Sequence, residues 1–147
     1  MRRLAPLLLI PVLVGYSSSP EDVAICTQKG GSSGVTVGWD RDDFPRAATF
    51  RVCAGERCEQ AEWTAGADMP MDALLVEMDE DIGGITVPVR LTVTSPRGER
   101  IVEDSARVRL REDHINGRGC DPVLWTAGLT AHPEKGLVPA DGPAERG

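Results

Sequence analysis

Lysine is nearly missing from this 147-residue chain: Lys29 and Lys135 are the only two, and arginine supplies the remaining positive charge. With 16 basic residues against 23 acidic ones the formal charge is −7, which argues against binding to nucleic acid or to an anionic lipid surface. Long apolar runs are missing too. The longest, Leu4–Val14, is eleven residues broken by Pro6 and Pro11, whereas a spanning helix needs about 20. Aromatic residues make up only 4% of the chain, and Tyr16 and Asn116 are each the sole residue of their kind. Histidine occurs only at His114, beside Asp113, and at His132, both in loop-like sequence. Because no nucleophile elbow, metalloprotease helix or phosphate-cradling glycine loop accompanies them, the sequence predicts a protein that is not an enzyme and carries no cofactor.

What is present begins with a leader. Arg2 and Arg3 precede the apolar stretch and small residues follow it, the layout of a secretory signal peptide over residues 1–17. Leu13-Val14-Gly15 followed by Ser17-Ser18-Ser19 resembles the lipobox and serine tether of actinobacterial lipoproteins, with Tyr16 standing where those proteins have the lipid-bearing cysteine. A phenol cannot form the thioether, so the resemblance implies a lipoprotein-like chain that is not acylated. Ordinary signal peptidase is the alternative, cutting after Ser17. Either route places the protein outside the cytoplasm, extracellular or on the outer face of the membrane, with membrane contact only through a retained leader or in lipidated relatives. Without Arg2 and Arg3 the remainder carries about −9. The bias toward Arg, Ala, Gly, Pro and Val is similar to high-GC actinobacterial coding.

Four cysteines, Cys26, Cys53, Cys58 and Cys120, predict two disulfides in an exported chain, with three possible connectivities. Intervals of 26, 4 and 61 residues between them do not suit zinc, and no metal is expected. The strand pattern chooses among the pairings. From Gly34 onward apolar residues recur at every second position: Val35, Val37, Trp39; Val87, Val89, Leu91, Val93; Ala106, Val108, Leu110; and Val123, Trp125, Ala127, Leu129. DALLVEM is a shorter apolar run of ambiguous type. In ATFRVCAGERCEQAEW a four-residue loop, Ala54–Arg57, sets Cys53 opposite Cys58, Phe50 opposite Ala61 and Ala48 opposite Trp63. The same register puts Arg51 with Gln60 and Thr49 with Glu62 on the other face. Cross-strand neighbours lie within disulfide reach, so Cys53–Cys58 is the expected bridge and Cys26–Cys120 remains.

About seven strands at regular spacing predict an all-β, disulfide-stapled β-sandwich over residues 26–131, after a flexible tether at 18–25 and before a disordered tail at 132–147. The order Cys26, Trp39, Cys120 resembles that of immunoglobulin domains, although the second cysteine comes later and no tyrosine precedes it by two. GVTVGWD through TFRV, about a fifth of the chain, is similar to the second and third strands of fibronectin type III domains. The resemblance implies an immunoglobulin-like or fibronectin-III-like fold and carries no binding residues with it.

Trp39, Trp63 and Trp125 fall on alternating apolar faces and read as core rather than as sugar-stacking surfaces. The acidic clusters Asp40-Arg41-Asp42-Asp43 and Glu77 to Asp81 lack the grammar of a calcium loop and read as solvated turns. Pro88 would suit an edge strand. The expected function is that of a monomeric, non-catalytic interaction or accessory domain of the cell envelope with a protein partner. A ligand-binding module for carbohydrate or calcium is the alternative.

Overall fold

The computed structural model describes residues 25–62 and 72–140. The leader, the LVGYSSS stretch, Trp63 and the last seven residues therefore lie outside the described residues. Alternating apolar side chains produce strands wherever the sequence pattern is strict. These are β1 (Gly34–Trp39), β2 (Thr49–Ala54), β3 (Arg57–Glu62), β4 (Ala73–Glu77), β5 (Thr86–Thr94), β6 (Arg100–Arg109), β7 (Arg111–Asp113), β8 (Leu124–His132) and β9 (Gly136–Pro139). The ambiguous DALLVEM run resolves as β4.

Two sheets form a sandwich. One has the order β4-β1-β8-β7, with β9 also paired to β8, and the other the order β3-β2-β5-β6. All pairings are antiparallel except β1 with β8, which run parallel. Between the sheets lie Val35, Val37, Val52, Val76, Val89, Leu91 and Val93, all fully buried. Trp39 on β1 stacks on Phe50 of β2 at 3.9 Å between centroids, and Phe44 meets Phe50 edge-on at 5.0 Å. The three rings thus tie one sheet to the other.

The hairpin register holds residue by residue: Cys53↔Cys58, Phe50↔Ala61, Arg51↔Gln60 and Thr49↔Glu62. Ala54 and Arg57 also pair, so the loop is two residues, not four. Gly55 takes φ +59° at its first position, where a type II′ turn requires glycine. Both disulfides are those expected, Cys53–Cys58 and Cys26–Cys120.

The long bridge does not join two strands, however. Cys26 precedes β1 and Cys120 follows β7, so the bond fastens the N-terminal segment to the β7–β8 loop. Asn116, 3% exposed, fastens it a second time. Its side-chain oxygen accepts from the Lys29 amide (2.6 Å) and the Thr27 hydroxyl (3.0 Å), while its amide donates to the carbonyls of Lys29 (3.1 Å) and Asp121 (2.9 Å). The sole asparagine of the chain is therefore a fully used four-bond hub, which explains its burial.

Four expectations are corrected. Nine strands are described rather than about seven, because β7 and β9 are too short for periodicity to reveal. The segment after His132 is not tail throughout: Gly136–Pro139 pairs with the end of β8, and Leu137 is buried. The domain therefore extends beyond residue 131. Trp125 is half-buried, packing at the core margin, while Leu124 is buried on the opposite side of β8, where a Cβ at Gly31 would come within 2.7 Å of it. The N-terminal segment covers the start of that outer side at Leu124, and further along the same side carries Thr126, Gly128 and Thr130. Finally, Pro88 sits on the central strand β5. Its carbonyl accepts from Gly55 at 2.9 Å, and its nitrogen faces the same side, where β2 has already turned away, so no ladder bond is lost.

β9 is held to the other sheet by Asp104 of β6. This residue pairs with Leu91 and so takes an inward position, where its carboxylate accepts from the Leu137 amide at 2.8 Å. Gly136 has φ +71°, and a Cβ there would fall 2.1 Å from the same carboxylate. Asp104→Ala should cost about 1–3 kcal/mol by leaving that amide unpaired. Hydrogen exchange should show Leu137 losing protection while Val89 keeps it.

Candidate functional site

The outer face of the β3-β2-β5-β6 sheet carries the most unusual side-chain set. Inward Phe50, Val52, Val89, Leu91 and Val93 force their neighbours outward, and these neighbours are polar. The register places Arg51 opposite Thr92, Arg90 between Cys53 and Ser105, and Arg107 opposite Pro88. Arg51, Arg90 and Arg107 thus step diagonally across three strands, a spacing of about 7–8 Å between neighbours. Beside them lies a groove of about 550 Å³ in which Arg51, Arg90 and Arg100 stand with two carboxylates, Glu103 and Asp104, and with Thr92, Ser105, Leu91 and Cys53.

Five arginines, at 51, 90, 100, 107 and 109, and only two carboxylates, Glu62 and Glu103, point out from these strands. Arg100 is paired with Glu103. Among the described residues, Arg51, Arg90 and Arg107 form no ion pair. Like charges packed on one sheet face repel, so this face carries an electrostatic cost that a bound anion would relieve. It does so on a chain whose overall charge is −7. Within the face only Pro88 and the Cys53–Cys58 bridge interrupt the polar and charged set.

The other candidates have structural employment. The first acidic cluster forms a 3-10 turn, Arg41–Asp43, in which Asp40 accepts from the Asp42 amide at 3.0 Å, and Arg41 reaches Asp72 at 3.5 Å. From the second, Glu77 accepts from Ser32 at 2.7 Å, and Asp79 pairs with Arg57 at 2.6 Å, tying β3 to the end of β4. Among the described residues no cluster of three or more His, Cys, Asp or Glu is arranged to hold a metal. His114 pairs with Glu112, at 2.6 Å, rather than with Asp113. Nδ1 of His132 accepts from the amides of Glu134 and Lys135, capping the β8–β9 turn. Trp39 is 6% exposed and offers no sugar platform.

The sequence shows Arg90 and Arg107 on polar faces of their own strands. What it hides is that β2, β5 and β6 are adjacent in the register that makes them one row. The two disulfides place the folded domain in an oxidising environment. Compared with known proteins, the chain matches no family model, no curated protein and no solved structure.

Proposed function

We propose that the chain is an exported, non-catalytic, monomeric domain of the cell envelope that engages its partner through the arginine-bearing face of the four-stranded sheet. The observation that carries this reading is the row of Arg51, Arg90 and Arg107 without carboxylate partners on an otherwise acidic chain. A row of unpaired cations on an acidic chain makes a local positive potential that attracts anionic groups. Strand order supports an immunoglobulin-like or fibronectin-III-like framework. The arrangement β3-β2-β5-β6 beside β4-β1 parallels the C′-C-F-G and B-E strands of those domains. β8, parallel to β1, takes the place of their first strand, and the Cys26–Cys120 bond lies outside the core, whereas the disulfide of immunoglobulin domains crosses it.

Export is supported by the leader pattern and by the two bridges. Its test is expression in an actinobacterial host followed by fractionation and thiol alkylation. A secreted or membrane-associated product without free thiols is expected, and a cytoplasmic product with four alkylated cysteines would contradict the reading. The lipobox likeness has its own test. Tyr16→Cys should restore labelled-palmitate incorporation and move the protein to the membrane, since Leu13, Val14, Gly15 and the serines are already in place and each buried methylene adds about 0.8 kcal/mol of membrane affinity. A variant that takes up no label and stays in the medium would show the likeness to be accidental.

A further inference from the structure

We infer that the arginine face binds a linear anionic polysaccharide, a hydroxylated chain bearing carboxylate, phosphate or sulfate groups at intervals. The inference rests on the proposal that this face meets the partner, and it names the partner's chemistry. Three properties of the face select it. First, the cations are arginines, whose planar forks take oxyanions in bidentate fashion, and they recur about 7–8 Å apart along a diagonal, so they suit charges repeated along a chain rather than one compact anion. Second, the side chains between and beside them are hydroxyls and an amide, Thr92, Ser105 and Gln60, partners for the hydroxyl groups of sugars. Third, the face has no aromatic or large aliphatic side chain, and its only apolar surface is Pro88 and the Cys53–Cys58 bridge.

That third property excludes the competing polyanions. A folded protein partner needs an apolar centre to its interface, with aromatic or aliphatic residues buried in pockets. Single-stranded nucleic acid needs aromatic side chains on which bases stack, and none is here. Duplex DNA presents a charge about every 1.7 Å, which a chain of net charge −7 meets with repulsion over most of its surface. A more sparsely charged, fully hydrated polymer such as a polyuronate approaches the row with a smaller penalty. The groove between Arg51, Arg90 and Arg100, about 550 Å³, falls in the range of sites that hold small ligands.

The test is calorimetric titration of the mature domain with polygalacturonate oligomers and with dextran sulfate, alongside neutral dextran, poly-glutamate and single-stranded DNA. Wild-type protein should bind at least one anionic polysaccharide, with affinity falling as salt rises, and should ignore neutral dextran. Arg90→Gln should weaken binding about tenfold, the loss of one charge-assisted pair. Arg51→Gln/Arg90→Gln/Arg107→Gln should abolish it, whereas Arg118→Gln, in the exposed β7–β8 loop, should leave it unchanged. Arg90→Lys should fall between, since it keeps the charge and loses the fork. All these side chains are exposed, so in the absence of polymer no variant should melt below the wild type, and the triple variant, relieved of like-charge repulsion, should melt at or slightly above it. Added polymer should raise the melting temperature of the wild type but not of the triple variant.

No binding to either anionic polysaccharide would overturn the inference, as would equal loss in Arg118→Gln. Tighter binding to poly-glutamate or DNA would overturn it in favour of a protein or nucleic-acid partner. Self-association in polymer-free buffer that the triple variant abolishes would overturn it in favour of the acidic surface of a second copy. None of these outcomes bears on export, which the fractionation experiment reads separately.

Discussion

Replacing Trp39 with alanine is expected to lower the free energy of unfolding by about 3–5 kcal/mol, the range for deleting a large buried aromatic. The ring is 6% exposed, and it stacks at 3.9 Å on Phe50, which Phe44 meets edge-on. Because Trp39 and Phe50 belong to different sheets, the deletion opens a cavity between the layers as well as removing apolar burial. Against a typical total of about 5–15 kcal/mol, such a loss leaves the domain marginal. Trp39→Phe should be far milder. It keeps an aromatic face against Phe50 and removes the indole Nε1, a buried donor without a hydrogen-bond partner. Urea unfolding of the three proteins checks the order. An alanine variant within about 1 kcal/mol of wild type would mean that the ring is not core.

Removing the long bridge, as Cys26→Ser/Cys120→Ser, should cost about 2–5 kcal/mol. The two cysteines are separated by 94 residues, against 5 for Cys53 and Cys58. On a chain-entropy account the short bridge contributes roughly 2 kcal/mol and the long one nearer about 4.7. The difference has a local counterpart. Cys53 and Cys58 are already opposed by a six-pair hairpin ladder, whereas Cys26 lies in a segment without strand pairing. In the long-bridge variant only Asn116 and neighbouring loop bonds hold that segment over Leu124. Adding Asn116→Ala should therefore cost more than in the disulfide-intact protein, a coupling expected of two fasteners on one segment. Urea midpoints of the two disulfide variants supply the measurement. Equal losses, or a larger loss for the hairpin bridge, would contradict the assignment of the N-terminal segment as the main beneficiary.

Which side chains face the core was legible where strands are long and one side is wet. Val35, Val37 and Trp39 on β1 and the four apolar residues of β5 alternate cleanly because only one face of each is covered. The β2–β3 register was legible from Thr49↔Glu62 to Cys53↔Cys58 because a tight turn leaves its arms no freedom to choose other partners, although the turn itself is two residues where the sequence suggests four. β8 follows the same logic at Trp125, Ala127 and Leu129, which lie on the core side as alternation predicts. Only Leu124 departs from it, buried on the other side because the N-terminal segment covers the start of the strand. β9 is shorter still, and its place depends on Asp104, a carboxylate more than thirty positions away whose inward direction no local pattern announces.

The candidate site was legible only in fragments. Alternation sends Arg51, Arg90 and Arg107 outward, each on its own strand, but the row exists because β5 lies between β2 and β6 in one register. Pairings between strands distant in sequence are set by the packing of the whole domain, so a surface assembled from three strands is a tertiary property. Overall charge misleads for the same reason. A chain of −7 hides a cationic face, because its carboxylates are spread over turns and other strands and only Glu62 and Glu103 share that sheet surface with the arginines.

The most direct measurement is a map of amide shifts in the ¹⁵N-labelled protein during titration with polygalacturonate. The account predicts changes concentrated on β2, β5 and β6 at Arg51, Arg90, Thr92, Ser105 and Arg107, with the β7–β8 loop and the turn at Asp40–Asp43 unmoved. Shifts centred on that loop or that turn, with the sheet face silent, would contradict it.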